Sequence, residues 1–421
     1  MRLLYTILIY FAAPIALAVN WSRARRDPAY GERLGERWGF VQARIERPSL
    51  WVHAVSVGEV QAGAVLIRAL RERFPDHGLV VTTGTPTGAQ RVRSLFDGSV
   101  QHVYLPYDMP GAVRRFLDRV RPSAGIVMET EIWPNLFREC RRRSVPLLIA
   151  SARLSEKSVR RYGRWRSLAR DALAGVRVAA QTELDAKRFS EIGAARVEVI
   201  GNLKFDIEVR EGVAQAGQSL RSDQFAGRPV WIAASTHEGE EEQALTAHEA
   251  VRARLQDALL ILVPRHPQRF PSVAALLAER RVPHVSRSRG ERVTEATRVL
   301  LVDTLGELLM FYAASDVAFV AGSLAPIGGH SLLEPAAIGC PIVVGPHNFN
   351  APDIAQMLLS SHAAVQVGDV HALGSEVVRL LNDADARREM AVRAREILEK
   401  NRGALARLVE MIEDVVPRSA G

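Results

Sequence analysis

Cysteine is almost absent from this chain. Cys140 and Cys340 are the only two, far apart and in apolar or helical contexts. A disulfide framework is thereby excluded, and two buried thiols in a reducing compartment fit better. No His, Cys or carboxylate cluster has the spacing of a metal site. The one Asp-x-Asp, Asp383-Ala-Asp385, precedes Arg387-Arg-Glu-Met and reads as a helix N-cap, so metal-independent chemistry is expected. Neither zinc-finger spacing nor an RNA-binding aromatic motif accompanies the basic balance of +8 at pH 7, pI near 9.9. Nucleic acid therefore explains that charge less simply than an anionic lipid surface does. Internal repeats and low-complexity tracts are missing as well.

The 421 residues, 48% of them hydrophobic, suffice for two or three domains with their own cores. The chain opens on Met1-Arg-Leu-Leu-Tyr-Thr-Ile-Leu-Ile-Tyr-Phe-Ala-Ala-Pro-Ile-Ala-Leu-Ala-Val19, free of charge from Leu3. That is the short end of a membrane span, which needs about 17–25 residues. Arg23, Arg25 and Arg26 follow and outnumber Arg2, which puts the downstream sequence in the cytoplasm. An uncleaved anchor, spanning or steeply inserted, fits better than a signal peptide; Pro14 keeps a buried core helix as a third reading.

Beyond it, strand-like and helical runs alternate, the pattern of parallel α/β architecture. Strands are predicted at 50–55, 78–83, 124–128, 146–150, 176–180 and 197–200, then at 229–234, 258–263, 298–302, 316–321 and 341–344. Helices are predicted over, among others, 60–74, 112–120 and 331–338. The expected organisation is an anchor over 1–22, an α/β domain over 23–206, a polar linker over 207–228 and a second α/β domain over 229–421.

Candidate functional residues fall where strands run out into helices. The most informative segment is Gly322-Ser-Leu-Ala-Pro-Ile-Gly-Gly-His-Ser-Leu-Leu-Glu334. A glycine turn opening a helix presents free N–H groups and the positive end of a helix dipole to an anion, here at Gly328, Gly329, His330 and Ser331. Glu334 would face a ribose rather than a phosphate, so a nucleotide-sugar site is expected at the carboxyl ends of parallel strands. Ser235 and Thr236 either line that site or cap the next helix. Arg265, directly after a buried strand, calls for an anionic partner, and His266 reads equally as packing or nucleotide contact.

In the first half, His53-Ala-Val-Ser-Val-Gly-Glu59 leaves the first strand. Glu59 either complements the helix dipole or acts as general base toward an acceptor hydroxyl. Thr85, in Thr82-Thr-Gly-Thr-Pro-Thr-Gly88, reads as an N-cap or as the lining of a polar cleft. Glu129 and Glu131 end another strand beside Trp133, where two carboxylates are costly unless paired or wet. Lys204 is a solvated linker lysine or a cation for an anionic substrate. Arg161 and Arg164 belong to an arginine-rich run interleaved with Trp165 and Leu168. The run is a solvated helix face or a contact for lipid phosphates or a phosphorylated acceptor.

Taken in order, these strings resemble the 3-deoxy-D-manno-octulosonic acid (Kdo) transferases of lipopolysaccharide assembly. The resemblance runs through the anchor, Glu36-Arg-Trp-Gly39, His53–Glu59, Val81–Gly88, Val103-Tyr-Leu-Pro-Tyr-Asp108 and Met128-Glu-Thr-Glu-Ile-Trp-Pro-Asn135. It continues through Asn202-Leu-Lys-Phe-Asp206, Ser235–Glu240, Leu262–Pro267 and Gly345-Pro-His-Asn-Phe-Asn350. One departure is visible: the family's common Gly-Gly-His-Asn-Pro-Leu-Glu reads Gly328-Gly-His-Ser-Leu-Leu-Glu334 here, with Ser331 in place of the asparagine.

The resemblance implies a GT-B glycosyltransferase: two Rossmann-like domains facing a central cleft, the N-terminal one for acceptor and the C-terminal one for nucleotide. It implies transfer of Kdo from CMP-Kdo to lipid IVA at the cytoplasmic face of the inner membrane, with no cofactor and no metal. It also implies that Glu59 is the catalytic base. Ser235, Thr236, Arg265, His266, the 328–331 turn and Glu334 would then hold the donor. Glu129, Lys204, Thr85, Arg161 and Arg164 would organise Kdo or the acceptor. The competing readings are a GT-B transferase for another nucleotide sugar and a non-catalytic, membrane-tethered nucleotide-binding protein.

Overall fold

The computed structural model describes residues 1–42, 48–225 and 227–416. The chain divides into two compact units, residues 1–206 with 401–421, and residues 207–400.

The first unit holds a parallel sheet of seven strands: β1 (Ser49–His53), β2 (Gly78–Thr83), β3 (Gln101–Tyr104), β4 (Pro122–Met128), β5 (Leu147–Ala152), β6 (Arg177–Ala180) and β7 (Arg196–Val199). Their order is β3-β2-β1-β4-β5-β6-β7. The central strands are buried on both faces and read as unbroken apolar runs, as parallel strands covered by helices must. The helix Val57–Arg73 lays Val60, Ala64 and Ile67 on one face of the sheet at helical spacing.

The second unit repeats the plan with β8 (Val230–Thr236), β9 (Leu259–Pro264), β10 (His284–Ser286), β11 (Val299–Leu301), β12 (Val317–Val320), β13 (Ile342–Val344) and β14 (Ala364–Gln366). Their order is β10-β11-β9-β8-β12-β13-β14, all parallel. In each sheet the strand order reverses beside the unit's first strand, between β1 and β4 and between β8 and β12. Loops leaving neighbouring strands diverge to opposite faces at such a point and open a crevice at the strands' carboxyl ends.

Every strand expected from the sequence is present. Three more, β3, β10 and β14, were not expected, and all three are sheet edges. The expected linker over 207–228 is corrected. It contains the helix Val213–Gln224, packed in the second unit with Gly217 against Ala313 and Arg221 ion-paired to Asp316 at 2.8 Å. Ala226 of that stretch lies outside the described residues.

The expected second domain over 229–421 is corrected at its end, of which 417–421 lie outside the described residues. The helix Ala404–Glu413 buries Leu408, Met411 and Ile412 against Leu66, Ile67 and Leu70 of the first unit. Each such side chain contributes about 1.5–3 kcal/mol on burial. Asp206 fixes the return: its carboxylate accepts the N–H groups of Gly403 and Leu405, both at 2.7 Å, at that helix's start.

The N-terminal helix Arg2–Ala24 is long and apolar enough to cross a membrane, by length and composition. Cys140 and Cys340 are both buried and free.

Candidate active site

Each crevice collects some of the residues singled out in the sequence. In the first unit, β1 leads through Ser56 into Val57–Arg73. Ser56 Oγ accepts the Glu59 N–H at 3.3 Å, and the Glu59 carboxylate accepts the Val55 N–H at 2.8 Å. This is a capping arrangement closed from both sides. The carboxylate is nevertheless half-buried, and burial pushes its pKa up to about 7, the Val55 bond opposing and nearby Glu129 and Glu131 adding to the rise. Glu59 leaves β1 and the other two leave β4, so the three acids share the reversal point of the first sheet. Burial also raises Glu131, with Arg161 opposing. Glu129 sits at φ 57°, in the left-handed region that costs a non-glycine residue about 1–3 kcal/mol.

Thr85 is an N-cap: its Oγ1 accepts the Gly88 N–H at 3.1 Å. Lys204, Arg161 and Arg164 are exposed. Arg161 lies over the Tyr162 ring at 5.1 Å. The arginine run near 138–143 is largely spent on ion pairs, Arg141 with Asp171, Arg142 with Glu139 and Arg143 with Asp118. Asp383 caps its helix through the Ala386 N–H at 2.9 Å.

In the second unit the geometry departs from expectation in two ways. Ser235 and Thr236 cap nothing. Ser235 is left-handed at φ 61°, and Thr236 Oγ1 donates to Glu241 at 3.1 Å; the next helix, Glu240–Arg252, is preceded by Gly239. The turn over 328–331 does not open a helix directly either. Leu332 is the cap, and the helix Leu333–Ile338 has only six residues, with Glu334 in its first turn.

Gly328 and Gly329 both donate to the Gly322 carbonyl, at 3.0 and 2.7 Å, so their N–H groups are spent. The N–H groups of His330, Ser331, Leu332 and Leu333 have no acceptor among the described residues. The free backbone donors therefore begin two residues later than the sequence suggested. Gly328 adopts φ 108°, and a Cβ there would meet Asn350 at 2.6 Å.

Two carboxylates missed by sequence reasoning organise this site. Glu240 is fully buried and accepts four backbone N–H groups, His237 at 3.1 Å, Gly322 at 2.7 Å, and Leu324 and Ala325 at 3.2 Å. One side chain thus ties the turn after β8 to the turn after β12. Glu241, also buried, pairs with Arg269 at 3.0 Å. From the other side, Asn350 Nδ2 donates to the carbonyls of Ile327 and Gly329 at 3.2 and 3.1 Å. Both glutamates begin a helix, where acids are common for dipole reasons alone; no local signal separates clamping from capping.

The clamp brings His330 Nε2 within 2.8 Å of His237 Nε2, with His266 edge-on to His237 at 5.4 Å. His237 is a further site residue that sequence reasoning quoted without assigning. Burial, with neighbouring His237, Arg265 and His266, lowers His330 to about 4, so at neutral pH that ring is uncharged; burial lowers His237 as well. Arg265 is exposed, and no carboxylate pairs with it among the described residues. Glu334 is half-buried without a hydrogen-bond partner there; burial raises its pKa, with Arg265 opposing. A cation and a carboxylate stand ready on one turn-lined surface, beside free backbone donors.

Residues 32–207 match the family described as 3-Deoxy-D-manno-octulosonic-acid transferase (kdotransferase). The chain is 40% identical over 424 residues to the 3-deoxy-D-manno-octulosonic acid transferase of Haemophilus influenzae, covering 99% of each chain. It belongs to the Kdo transferase family. The Bordetella pertussis transferase is likewise 40% identical, over 98% of this chain and 99% of its own. Kdo transferases are glycosyltransferases, which makes this chain an enzyme of that class. A crystal structure of UDP-GlcNAc 2-epimerase from Neisseria meningitidis bound to UDP-GlcNAc aligns with TM-score 0.55 at 15% identity, over 87% of this chain and 100% of its own. At that identity the likeness shows the fold alone, and the fold is GT-B.

Proposed function

We propose that the chain moves Kdo from CMP-Kdo to lipid IVA, with inversion and without a metal, at the cytoplasmic face of the inner membrane. The observation that carries this reading is the division of chemistry between the two sheets. A carboxylate with its pKa near 7 stands at the reversal point of the first. The uncharged His330, Arg265 and free backbone donors stand at that of the second.

In this mechanism Glu59 takes the proton from an acceptor hydroxyl, and a pKa near the working pH suits a general base. The hydroxyl oxygen bonds to the anomeric carbon of Kdo on the face opposite the nucleotide. The bond from that carbon to the phosphate oxygen breaks, and its electron pair leaves with CMP. Arg265 and the N–H groups of His330 to Leu333 receive the phosphate's growing charge, the task a metal performs elsewhere. Glu334, lacking a protein partner, accepts from the ribose hydroxyls. Ser235 and His266 complete the nucleotide contacts, while Thr236, fully buried with its hydroxyl donated to Glu241, supports the turn from behind. Glu129, Lys204 and Thr85 serve the Kdo side, and Arg161 and Arg164 meet acceptor or lipid phosphates.

The test is incubation of the protein with CMP-Kdo and lipid IVA in detergent with EDTA, alongside Glu59→Gln, read by mass spectrometry. Kdo mass increments on the lipid that vanish in the variant support donor, acceptor and base together. No increment from a folded protein that binds CMP removes this reading and turns the search to other donors.

A further inference from the structure

The N-terminal helix Arg2–Ala24 does not project from the first unit; it lies along it. Its half-buried or buried positions are Arg2, Tyr5, Thr6, Ile9, Ala13, Ala16, Leu17, Asn20 and Ala24, a single face at helical spacing from end to end. Three polar ties fasten that face. Tyr5 donates to Asp108 at 2.9 Å, Thr6 to Asn135 at 3.0 Å and Asn20 Nδ2 to the Tyr107 hydroxyl at 2.8 Å. Between them Ala13 and Ile9 pack on Met109, Ala112 and Trp38. Asp108 is itself fixed, accepting the Asn135 and Leu136 N–H groups at 2.9 and 2.7 Å.

The opposite face is apolar and open. Leu3, Leu8, Phe11 and Ile15 are 72, 50, 75 and 67% exposed. Soluble surfaces seldom carry so continuous a stripe. Basic groups bracket it. Arg23, Arg25 and Arg26 are exposed at its end, with Arg25 stacked 3.7 Å over the ring of exposed Trp21. At its start, Tyr162 of the helix Glu156–Gly163 lies close enough to Tyr5 to interact electrostatically, and that helix carries exposed Lys157, Arg160 and Arg161.

We infer that this helix is an in-plane anchor: its outward stripe lies in the headgroup–acyl boundary of an anionic bilayer, and its inward face stays on the protein. A transmembrane pose would carry the middle of the helix through hydrocarbon. The helix is held to Tyr107, Asp108 and Asn135 by its polar groups and to Met109 and Ala112 by its apolar ones, so crossing would break all three ties and strand their polar groups in lipid. The in-plane pose keeps the ties and places arginines and Trp21 at headgroup level, where cations and amphipathic rings belong. It is an alternative to the sequence expectation of a spanning or steeply inserted anchor. The inference rests on the membrane-surface reading above and not on the identity of donor or acceptor.

The experiment is side-specific labelling. Arg2→Cys and Arg25→Cys are expressed separately and treated, in sealed inside-out inner-membrane vesicles, with a membrane-impermeant maleimide. Cys140 and Cys340, 0 and 3% exposed, give little background. An in-plane helix labels at both positions without detergent; label at position 2 that appears only after detergent overturns the inference. As a second measurement, Phe11→Lys and Ile15→Lys are mixed with vesicles of phosphatidylglycerol or phosphatidylcholine. Each should bind phosphatidylglycerol vesicles at least tenfold more weakly than the parent chain while keeping parental turnover in detergent. Parental vesicle binding by both variants also overturns it. Loss of transferase activity in the parent chain would count against the proposed reaction and leave the labelling result standing.

Discussion

Glu59 accepts the backbone N–H of Val55 at 2.8 Å, reaching back across the turn that joins β1 to its helix. The residue proposed as base is therefore also a structural cap. That bond and the Ser56 hydroxyl lower its pKa, and burial outweighs them. Replacement of Glu59 consequently has two separable effects.

Glu59→Gln keeps an acceptor oxygen for Val55 and removes the base. It should lower kcat about 10²–10⁴-fold while keeping that hydrogen bond. Glu59→Ala should lose activity equally and also about 0.5–1.5 kcal/mol of stability with its hydrogen bond. Steady-state kinetics and thermal melts on both variants check this; a Gln variant with near-parental kcat removes Glu59 as base.

The rate should fall as pH drops through about 7, where Glu59 protonates. Stability should move the other way. Burial raises this carboxyl from 4.5 to about 7, so the folded state holds the proton more tightly than the unfolded chain. Its stabilising contribution is complete below 4.5 and lost as pH rises through 7. Glu59→Gln should therefore gain stability relative to the parent between pH 5 and 8, measured as a difference in denaturant midpoints.

Arg265→Ala should weaken CMP and donor binding by roughly 10–100-fold, the range for about 1.5–3 kcal/mol in a hydrogen bond to a charged group. Its Tm should stay near parental because Arg265 is exposed and no carboxylate forms an ion pair with it among the described residues. Calorimetric titration with CMP checks the first part; unchanged affinity would take Arg265 out of the donor site.

Glu240→Gln should act on the same site from a distance. It replaces a carboxylate that accepts four N–H groups with an amide that has one acceptor oxygen. Affinity for CMP and Tm should both fall, with about 1–3 kcal/mol lost for each buried donor left unpaired. Asn350→Ala, loosening the same turn from the other side, should weaken CMP less. A Glu240→Gln variant with parental CMP affinity would show that the clamp serves folding alone.

Transfer measured in EDTA should proceed at the rate seen with added Mg²⁺. A rate restored only by a divalent cation would assign the phosphate's charge to that ion rather than to Arg265 and the backbone donors.

Much of the fold was legible because parallel strands covered on both faces leave unbroken apolar runs, as in Trp51-Val52 and Leu260-Ile261-Leu262, all fully buried. The missed strands β3, β10 and β14 are edges with one neighbour each; β10 and β14 run only three residues. Such segments bury too little to leave a pattern. The return of the helix Ala404–Glu413 to the first unit was equally unreadable, because an amphipathic helix does not say which sheet it covers. Asp206 decides it by capping that helix.

The candidate site divides on the same principle. Glu59 and Arg265 were legible as candidates because a charged residue at a strand exit is conspicuous along the chain, and Glu334 because it follows a glycine turn into a helix. Glu240 and the His237–His330 contact were not, since a glutamate in a first helical turn looks like any dipole partner. Its four hydrogen bonds span turns more than eighty positions apart, 237 to 325.

The chain's local chemistry, its alternating strands and helices and its ordered motifs, determined the α/β class, the family resemblance and where strands empty into the candidate turns. Tertiary structure decided which turns meet, which N–H groups are spent and which are free, and that the apolar N-terminal helix keeps one face on the protein. Those outcomes depend on contacts between segments distant in sequence, and hydropathy along the chain carries no record of such partners.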